Sequence, residues 1–332
     1  MDIDLKQMAE AVRNYAGVYR KRPIKDVVEK LRQTHRFGTQ LPNYGDDAAV
    51  IPWKDEYLLL AADGMMTGLL IHEPYAAGKA SVMVTVNDIY AMGGRPMGLV
   101  NVLASGDELQ REQIVAGIEK GCRKLEVPML GGHLHPDAPD TQPALSVAIL
   151  GHAKHLMRSH LARPGDDLVV AVDLAGRAGC RSVVSWDANS GKSPEQLKKR
   201  LETLPRIADE GLCLAAKDIS NAGLVGTAAI MMENSGTGAM IDLLAIPKPD
   251  TLDLSQWVIC FQSFGFVFSV HPEKTDSLIE LFEARSITAK RIGRVTPGTR
   301  VELRVGEKSE TLFDFSTDEI TGIRYQGAME PV

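Results

Sequence analysis

The chain has 332 residues, of which 44% are hydrophobic and 24% charged, enough for a full core and for two domains. Its formal net charge of -6 offers no basic surface to a phosphate backbone, so nucleic acid is not an expected partner. The four cysteines are far apart and form no CxxC pair, which argues against a zinc knuckle or a disulfide framework.

The sequence also lacks the features of a membrane or secreted protein. No stretch reaches the roughly 18 apolar residues that a membrane helix requires. The acidic start has no positively charged segment followed by an apolar one, as a signal peptide would. We therefore expect a cytoplasmic protein that has reduced thiols and no membrane partner.

Hydrophobic periodicity predicts helices and strands along the first half. A weak helical pattern covers 5–15, and Pro23 opens a clearer amphipathic helix that should end at Gly38. Two short apolar runs, 48–53 and 57–62, predict a hairpin. A helix over 74–92, a strand over 97–104, a helix over 108–126 and strands over 128–130 and 145–150 complete this half.

The apolar pattern breaks over 152–166, where histidines and an Arg-Pro-Gly-Asp turn occur. We place a domain boundary there, giving domains 1–155 and 156–332. The second half shows a strand over 168–172, a surface loop over 187–194, a helix over 222–233 and strands over 239–243 and 264–270. The mixture predicts an α+β protein.

Common phosphate-binding and catalytic motifs are missing. Ser-Gly-Lys-Ser at 190–193 has the last letters of a P-loop, but Trp186 stands where its first glycine belongs. No GxGxxG motif follows a strand, and there is no GxSxG or HExxH motif. Dinucleotide-binding, serine-hydrolase and zincin functions are therefore not supported.

Carboxylate and amide side chains recur at the ends of apolar elements in the first half: Asp46, Asp47, Asp63, Asn87 and Asp88. Each alone is best explained as a turn or cap residue. If several converge, each carboxylate pair within about 4 Å costs on the order of 1–4 kcal/mol. A cation removes that cost, and Mg²⁺ favours carboxylates together with nucleotide phosphates. Since Asp46 and Asp47 are adjacent, only one of them should reach a metal directly.

The order of these motifs resembles the PurM-like superfamily, which includes aminoimidazole ribonucleotide synthetase, thiamine-monophosphate kinase, selenophosphate synthetase and a hydrogenase-maturation dehydratase. The matching segments are Gly-Asp-Asp-Ala-Ala-Val at 45–50, Ala-Asp-Gly at 62–64, Val-Asn-Asp at 86–88, Gly-Gly-His at 131–133, Pro-Gly-Asp at 164–166 and Lys-Asp-Ile-Ser at 217–220. The resemblance spans about residues 40–270.

This resemblance implies a PurM-like fold of two α/β domains, an ATP and Mg²⁺ site, and a homodimer that pairs the sheets of the first domains. The implied metal ligands are Asp47, Asp63, Asp88 and Asp218, the last reaching the site from the second domain. The implied ATP-binding residues are Gly45, Asp46, Asn87, Gly131, Gly132 and His133. No catalytic residue is assigned.

The chain departs from each named member. It has no cysteine ahead of the first motif, unlike selenophosphate synthetase, and its end lacks the cysteine of the hydrogenase-maturation protein. Asn221 replaces a second aspartate of thiamine-monophosphate kinase, and Phe-Gln-Ser-Phe at 261–264 replaces an acidic run. An AIR-synthase-related protein of a separate branch fits best.

We predict an enzyme that transfers the terminal phosphoryl group of ATP to a small-molecule acceptor, in a kinase-like or synthetase-like reaction. A nucleotide-binding module or partner subunit without turnover is the alternative. A third interpretation is a metal-dependent hydrolase on His133, His135 and Asp137, because alternate residues of a strand point the same way.

Overall fold

The computed structural model describes residues 3–37 and 43–325. They form a mixed α+β fold, which confirms the predicted fold class. Within these residues, no helix combines the length and the apolar character that crossing a bilayer would require.

The first part of the chain is helical at its start and then alternates strands with helices. Its helices are α1 Leu5–Arg13, α2 Ala16–Tyr19, α3 Ile24–Leu31, α4 Thr67–His72, α5 Pro74–Ala91 and α6 Glu108–Leu125, with a 3₁₀ helix at Arg32–Phe37. Its strands are β1 Ala49–Trp53, β2 Glu56–Gly64, β3 Arg95–Ala104, β4 Met129–His135 and β5 Ala144–Ala153.

These strands form one sheet in the order β1-β2-β5-β3-β4. The predicted hairpin is confirmed, since β1 and β2 pair antiparallel. The strand predicted over 128–130 is longer, because β4 continues beside β3 as far as His135. Helix α5 packs on one face of the sheet. Helix α6 packs closely on α5, where Gly78 leaves no room for a Cβ beside the Ile114 carbonyl.

The second part of the chain continues with more strands. They are β6 Asp167–Val172, β7 Arg177–Ala178, β8 Ser185–Asp187, β9 Ala215–Asp218, β10 Gly238–Asp242, β11 Phe261–Gln262, β12 Gly265–Val270, β13 Thr288–Thr296, β14 Arg300–Val305 and β15 Lys308–Asp314. Its helices are α7 Pro194–Leu201, α8 Thr203–Asp209, α9 Gly223–Ser235, α10 Leu254–Trp257 and α11 Pro272–Glu283, with a 3₁₀ helix at Leu243–Ala245.

Seven of these strands form a second sheet in the order β15-β14-β10-β13-β6-β12-β9, and β11, β8 and β7 form a small third one. Strands β6 and β12 are buried along their whole length, so apolar residues follow one another in their sequences instead of alternating with polar ones. Strand β9 lies at the edge of its sheet, next to α5 of the first part.

Two N-terminal features differ from the sequence-based expectation. The sequence predicts that one side of α3, with Val27, Val28 and Leu31, packs on the core. Only Val28 is buried, however, and Val27 and Leu31 are exposed. Helix α1 packs on β15 of the second sheet, where Arg13 donates to the carbonyls of Leu312 and Thr311 at 2.5 Å each. The predicted helix end at Gly38 lies outside the described residues.

Candidate functional site

A cavity of about 650 Å³ lies where α5 meets the edge of the second sheet. Its wall combines carboxylates, cationic side chains and apolar groups from both parts of the chain. The ionisable residues that matter for its chemistry are Arg20, Lys21, Asp46, Asp47, Asp63, Lys79, Asp88, Lys124, Asp187, Lys217 and Asp218.

The structure brings the four predicted metal ligands to this one cavity. Asp47 lies in the turn ahead of β1, and Asp63 is the penultimate residue of β2. Asp88 is on the last turn of α5, and Asp218 is the last residue of β9. They meet because α5 crosses the first sheet and also contacts β9. Their assignment as metal ligands stays a prediction.

The Asp88 and Asp218 carboxylates have no hydrogen-bond or ion-pair partner among residues 3–37 and 43–325, although Asp218 is only 5% exposed. Burial raises the pKa of Asp88 well above its usual value, and the charges of Asp218 and Asp63 raise it further. Burial likewise raises the pKa of Asp218 well above its usual value, with Asp47 adding to the effect. The cavity is therefore short of positive charge at these two groups.

Asp47 differs from the other three because it already has a cationic partner. Lys217 Nζ forms a hydrogen-bonded ion pair with Asp47 Oδ1, and the backbone N–H of Asp218 donates to Oδ2 at 3.3 Å. Lys217 Nζ also donates to the Gly45 carbonyl at 2.9 Å. Burial would lower the pKa of Lys217, but the Asp47 charge outweighs burial and raises it. This lysine is thus a fixed cation inside the carboxylate cluster.

The turn between α2 and α3 adds two more cations to the cavity wall, Arg20 and Lys21. Burial lowers the pKa of Lys21, and the charges of Lys217 and Arg20 lower it further. Burial raises the pKa of Asp63, while Lys21 opposes that rise. Sequence reasoning missed both cations, because nothing in their local pattern distinguishes them from solvated basic residues.

The neighbouring Asp46 is neutralised by different groups from those that contact Asp47. The guanidinium of Arg158 donates to Asp46 Oδ2, and the backbone N–H and hydroxyl of Ser159 both donate to Oδ1 at 2.9 Å. Burial would raise the pKa of Asp46, but contact with His160 and the charge of Arg158 lower it. Its carboxylate oxygens are thus engaged within the protein rather than open to a ligand.

The remaining predicted ATP-binding residues lie apart from the cavity wall, except Gly45. Asn87 is buried, and its side chain donates to the Ser263 carbonyl at 3.2 Å. Gly131, Gly132 and His133 lie on β4, at the edge of the first sheet. Their role in nucleotide binding stays a prediction.

The tip of β4 and the loop over 187–193 held two sequence motifs of interest. His133 and His135 do lie side by side, with ring centroids 4.5 Å apart. Yet no group of three His, Cys, Asp or Glu side chains within the described residues is placed to hold a metal ion, so Asp137 does not complete a site there.

In the Ser-Gly-Lys-Ser segment, Ser193 caps α7, and Lys192 donates to the carbonyls of Ala175 and Ala188.

The same finding bears on the carboxylate cluster. Three carboxylates do not close around a point, so the protein alone does not form a complete cage for a metal. Mg²⁺ does not require one, since it is commonly held by one or two carboxylates together with nucleotide phosphates and water. The carboxylates of Asp88 and Asp218, which have no partner within residues 3–37 and 43–325, fit that mode of binding.

Family models match most of the chain. The AIR synthase related protein N-terminal domain matches residues 45–153, and the C-terminal domain of the same family matches residues 163–306. An uncharacterised protein of Synechocystis is 40% identical over 278 residues, covering 84% of this chain and 86% of its own. One of Methanocaldococcus jannaschii is 36% identical over 326 residues, covering 96% and 100%. The chain therefore belongs to the AIR synthase related family, within the PurM-like superfamily.

Solved structures share the fold. Thermotoga maritima PurL complexed with ATP has a TM-score of 0.73 at 17% identity, over 99% of this chain and 55% of that chain. A ThiL structure complexed with AMPPCP and TMP has a TM-score of 0.66 at 19% identity, over 94% of this chain and 100% of that chain. This protein spans about half the length of PurL and the whole of ThiL.

Proposed function

We propose that this protein is a cytoplasmic, Mg²⁺-dependent enzyme that transfers the terminal phosphoryl group of ATP to a small-molecule acceptor. The observation that carries the proposal is the pair formed by the half-buried Asp88 and the buried Asp218, which have no partner for their carboxylates among the described residues, line one cavity and repel one another. Their arrangement is unfavourable without a cation and favourable with one. The ATP and AMPPCP complexes of the PurL and ThiL structures support a nucleotide as the source of the phosphates.

In this proposal, the acidic side chains of the cavity hold the metal ion and the basic side chains contact phosphate. Asp88 and Asp218 would hold Mg²⁺, which when bound neutralises phosphate charge and aligns the transferred group. Arg20 and Lys21 also line the cavity and would supply positive charge to phosphate oxygens. Apolar side chains, including Met65, Leu69 and Met83, line the rest of the cavity and leave room for an acceptor.

Calorimetry with a non-hydrolysable ATP analogue tests the nucleotide site. We expect binding that requires Mg²⁺ and that is weakened by Asp218→Asn but not by Asp137→Asn, since Asp137 is exposed and does not line the cavity. Equal affinity of both variants for the analogue would contradict the proposal. A phosphate-release assay against a panel of small metabolites then identifies the acceptor.

A nucleotide-binding module without turnover is the second candidate. The observation that favours it is the ion pair of Asp47 with Lys217, which leaves fewer open carboxylates to hold metal ions. Tight binding of the analogue without phosphate release on any acceptor would support this alternative over the enzyme.

We also propose a homodimer that pairs the open faces of two five-stranded sheets. One face of this sheet packs on α5, while the other exposes Leu60, Val100, Val102 and Leu150. These residues pair across β2, β5 and β3 in registers that put them on one face, and Val100 pairs with Gly131. An apolar sheet face of this kind is typical of an interface. In such a dimer, Gly131 and His133 would border the partner chain.

Sedimentation velocity tests the dimer. We expect Val102→Glu to convert the protein to a monomer. Val27→Glu, which places the same charge at an equally exposed valine of α3, should leave the dimer intact. A monomeric unsubstituted protein, or an unchanged dimer in Val102→Glu, would contradict the interface.

A further inference from the structure

Lys217 is the residue that most distinguishes this cavity from a simple carboxylate site. It immediately precedes Asp218 on β9, and its side chain is 10% exposed, against 7% for that of Asp47. Its ammonium is held by Asp47 and by the Gly45 carbonyl, both in the turn ahead of the first sheet. Separating this pair would leave two buried charges without partners, which is strongly unfavourable.

The carboxylates around the cavity differ in whether the protein already supplies them with a cation. Asp47 forms an ion pair with Lys217, and the charges of Lys21 and Arg20 act on Asp63. Among the described residues, neither the Asp88 nor the Asp218 carboxylate has an ion pair or a hydrogen bond, so these two remain for a metal ion. Two carboxylates are enough to hold one divalent cation together with phosphates and water.

Resting on the proposed function, we propose that the Lys217 ammonium takes the place of a second metal ion, so that each active site binds one divalent cation per nucleotide. Asp47 then anchors Lys217 and is not a metal ligand, whereas Asp88 and Asp218 bind the metal. This assignment departs from the set of metal ligands that the family resemblance implies, in which Asp47 belongs to the metal.

A purely structural role for Lys217 is the competing explanation, because the ion pair also ties β9 to the turn ahead of β1. The two explanations predict different measurements. If Lys217 is purely structural, its removal alters the free energy of unfolding and leaves the number of bound metal ions unchanged. A lysine that replaces a metal changes that number when it is removed.

Mn²⁺ binding, followed by electron paramagnetic resonance at saturating AMPPNP, distinguishes these explanations. We expect one Mn²⁺ per bound nucleotide in the unsubstituted protein and two in Lys217→Gln, where Asp47 becomes free to bind metal. Lys124→Gln is the matched control. Lys124 also lies on the cavity wall, but its ammonium donates to the carbonyls of Asn189 and Lys192, so the count should stay at one.

Asp47→Asn gives a second, independent reading. It should retain one Mn²⁺ per nucleotide, because Asp47 does not bind the metal, and Lys217→Gln with Asp47→Asn should return the count from two to one. Two metals in the unsubstituted protein would overturn the inference. So would a metal lost in Asp47→Asn, or a folded Lys217→Gln with an unchanged count. Failure of the unsubstituted protein to bind AMPPNP would instead reject the proposed function.

Discussion

Arg158 and Asp46 form an ion pair that is almost completely shielded from solvent, with side-chain exposures of 2% and 1%. Two guanidinium nitrogens, Nη2 and Nε, lie 2.9 and 3.0 Å from the same carboxylate oxygen. The pair joins the turn ahead of the first sheet to the segment that leads into the second. It also occupies the Asp46 carboxylate, whereas the Asp47 carboxylate pairs with Lys217.

Replacing one member of this pair should be more damaging than replacing both. We expect Arg158→Met to lower the free energy of unfolding by roughly 3–5 kcal/mol, because it leaves a buried carboxylate without its cationic partner. The double variant Arg158→Met with Asp46→Asn should lose less. Urea unfolding measures both, and a double variant less stable than Arg158→Met would contradict the role of the pair.

Asp88→Asn should stabilise the metal-free protein while weakening Mg²⁺-dependent nucleotide binding. Burial and neighbouring carboxylates raise the pKa of Asp88, so the folded state binds its proton more tightly than the unfolded state does. The contribution of protonated Asp88 to stability is therefore fully present below about pH 4, the pKa of the unfolded state, and is lost as the pH rises through the pKa of the folded state. At pH 7 the asparagine variant escapes this loss.

Thermal unfolding in EDTA checks this prediction. The unfolding temperature of Asp88→Asn should exceed that of the unsubstituted protein at pH 7, and the difference should disappear near pH 4. Asp137→Asn, at an exposed position, should show no difference at either pH. A destabilised Asp88→Asn at pH 7 would mean that the carboxylate has a favourable partner in the folded state.

Glu233 should be essential for stability because it holds the C-terminal segment. Its fully buried carboxylate accepts from the backbone N–H groups of Ile320, Thr321 and Gly322 at 2.9–3.1 Å, and from the Thr321 hydroxyl at 2.7 Å. Each buried donor left unsatisfied costs roughly 1–3 kcal/mol, so Glu233→Ala should lose more than about 2 kcal/mol. Glu319→Ala, at an exposed carboxylate, should change urea unfolding little.

Gly78 should resist replacement by alanine although it lies within a helix. Helix propensity alone favours alanine by about 0.8–1.0 kcal/mol. A Cβ at Gly78 would, however, lie 2.1 Å from the Ile114 carbonyl oxygen, so α5 and α6 would have to separate. Overpacking of this kind costs roughly 1–3 kcal/mol, which predicts net destabilisation.

Gly68 in α4 provides the control for Gly78, because a Cβ there meets nothing within 4 Å. Gly68→Ala should be neutral or slightly stabilising in thermal unfolding. If both alanine variants behaved alike, the close approach of α5 and α6 would not be the reason for glycine at position 78.

Local patterns in the sequence were sufficient for most of the elements. The helix predicted over 74–92 and the hairpin strands before it depend on periodicity and on terminal glycines, and both are confirmed. Ion pairs between residues far apart in the chain have no local pattern that predicts them. The partners of Asp46 and Asp47, Arg158 and Lys217, lie 112 and 170 residues further along the chain.

In the candidate site, too, local motifs predicted some features and did not reveal the long-range contacts. Ordered motifs predicted which carboxylates share the cavity, because each lies at the end of a recognisable element. The sequence did not reveal that Lys217 neutralises one of them, since a lysine beside an aspartate is usually solvated. It also did not indicate that Arg20 and Lys21 border the cavity, because the turn after α2 reaches the cavity only in the folded chain.

The packing of α1 on β15 has a consequence for synthesis of the protein. Arg13 leaves the ribosome among the first residues, but its acceptors Thr311 and Leu312 emerge about 300 residues later. Closing so long a loop is an entropic cost that earlier contacts do not repay, so this helix should dock late. Until then its apolar side is available to other proteins, and a nascent chain halted before β15 would be a natural client for a chaperone.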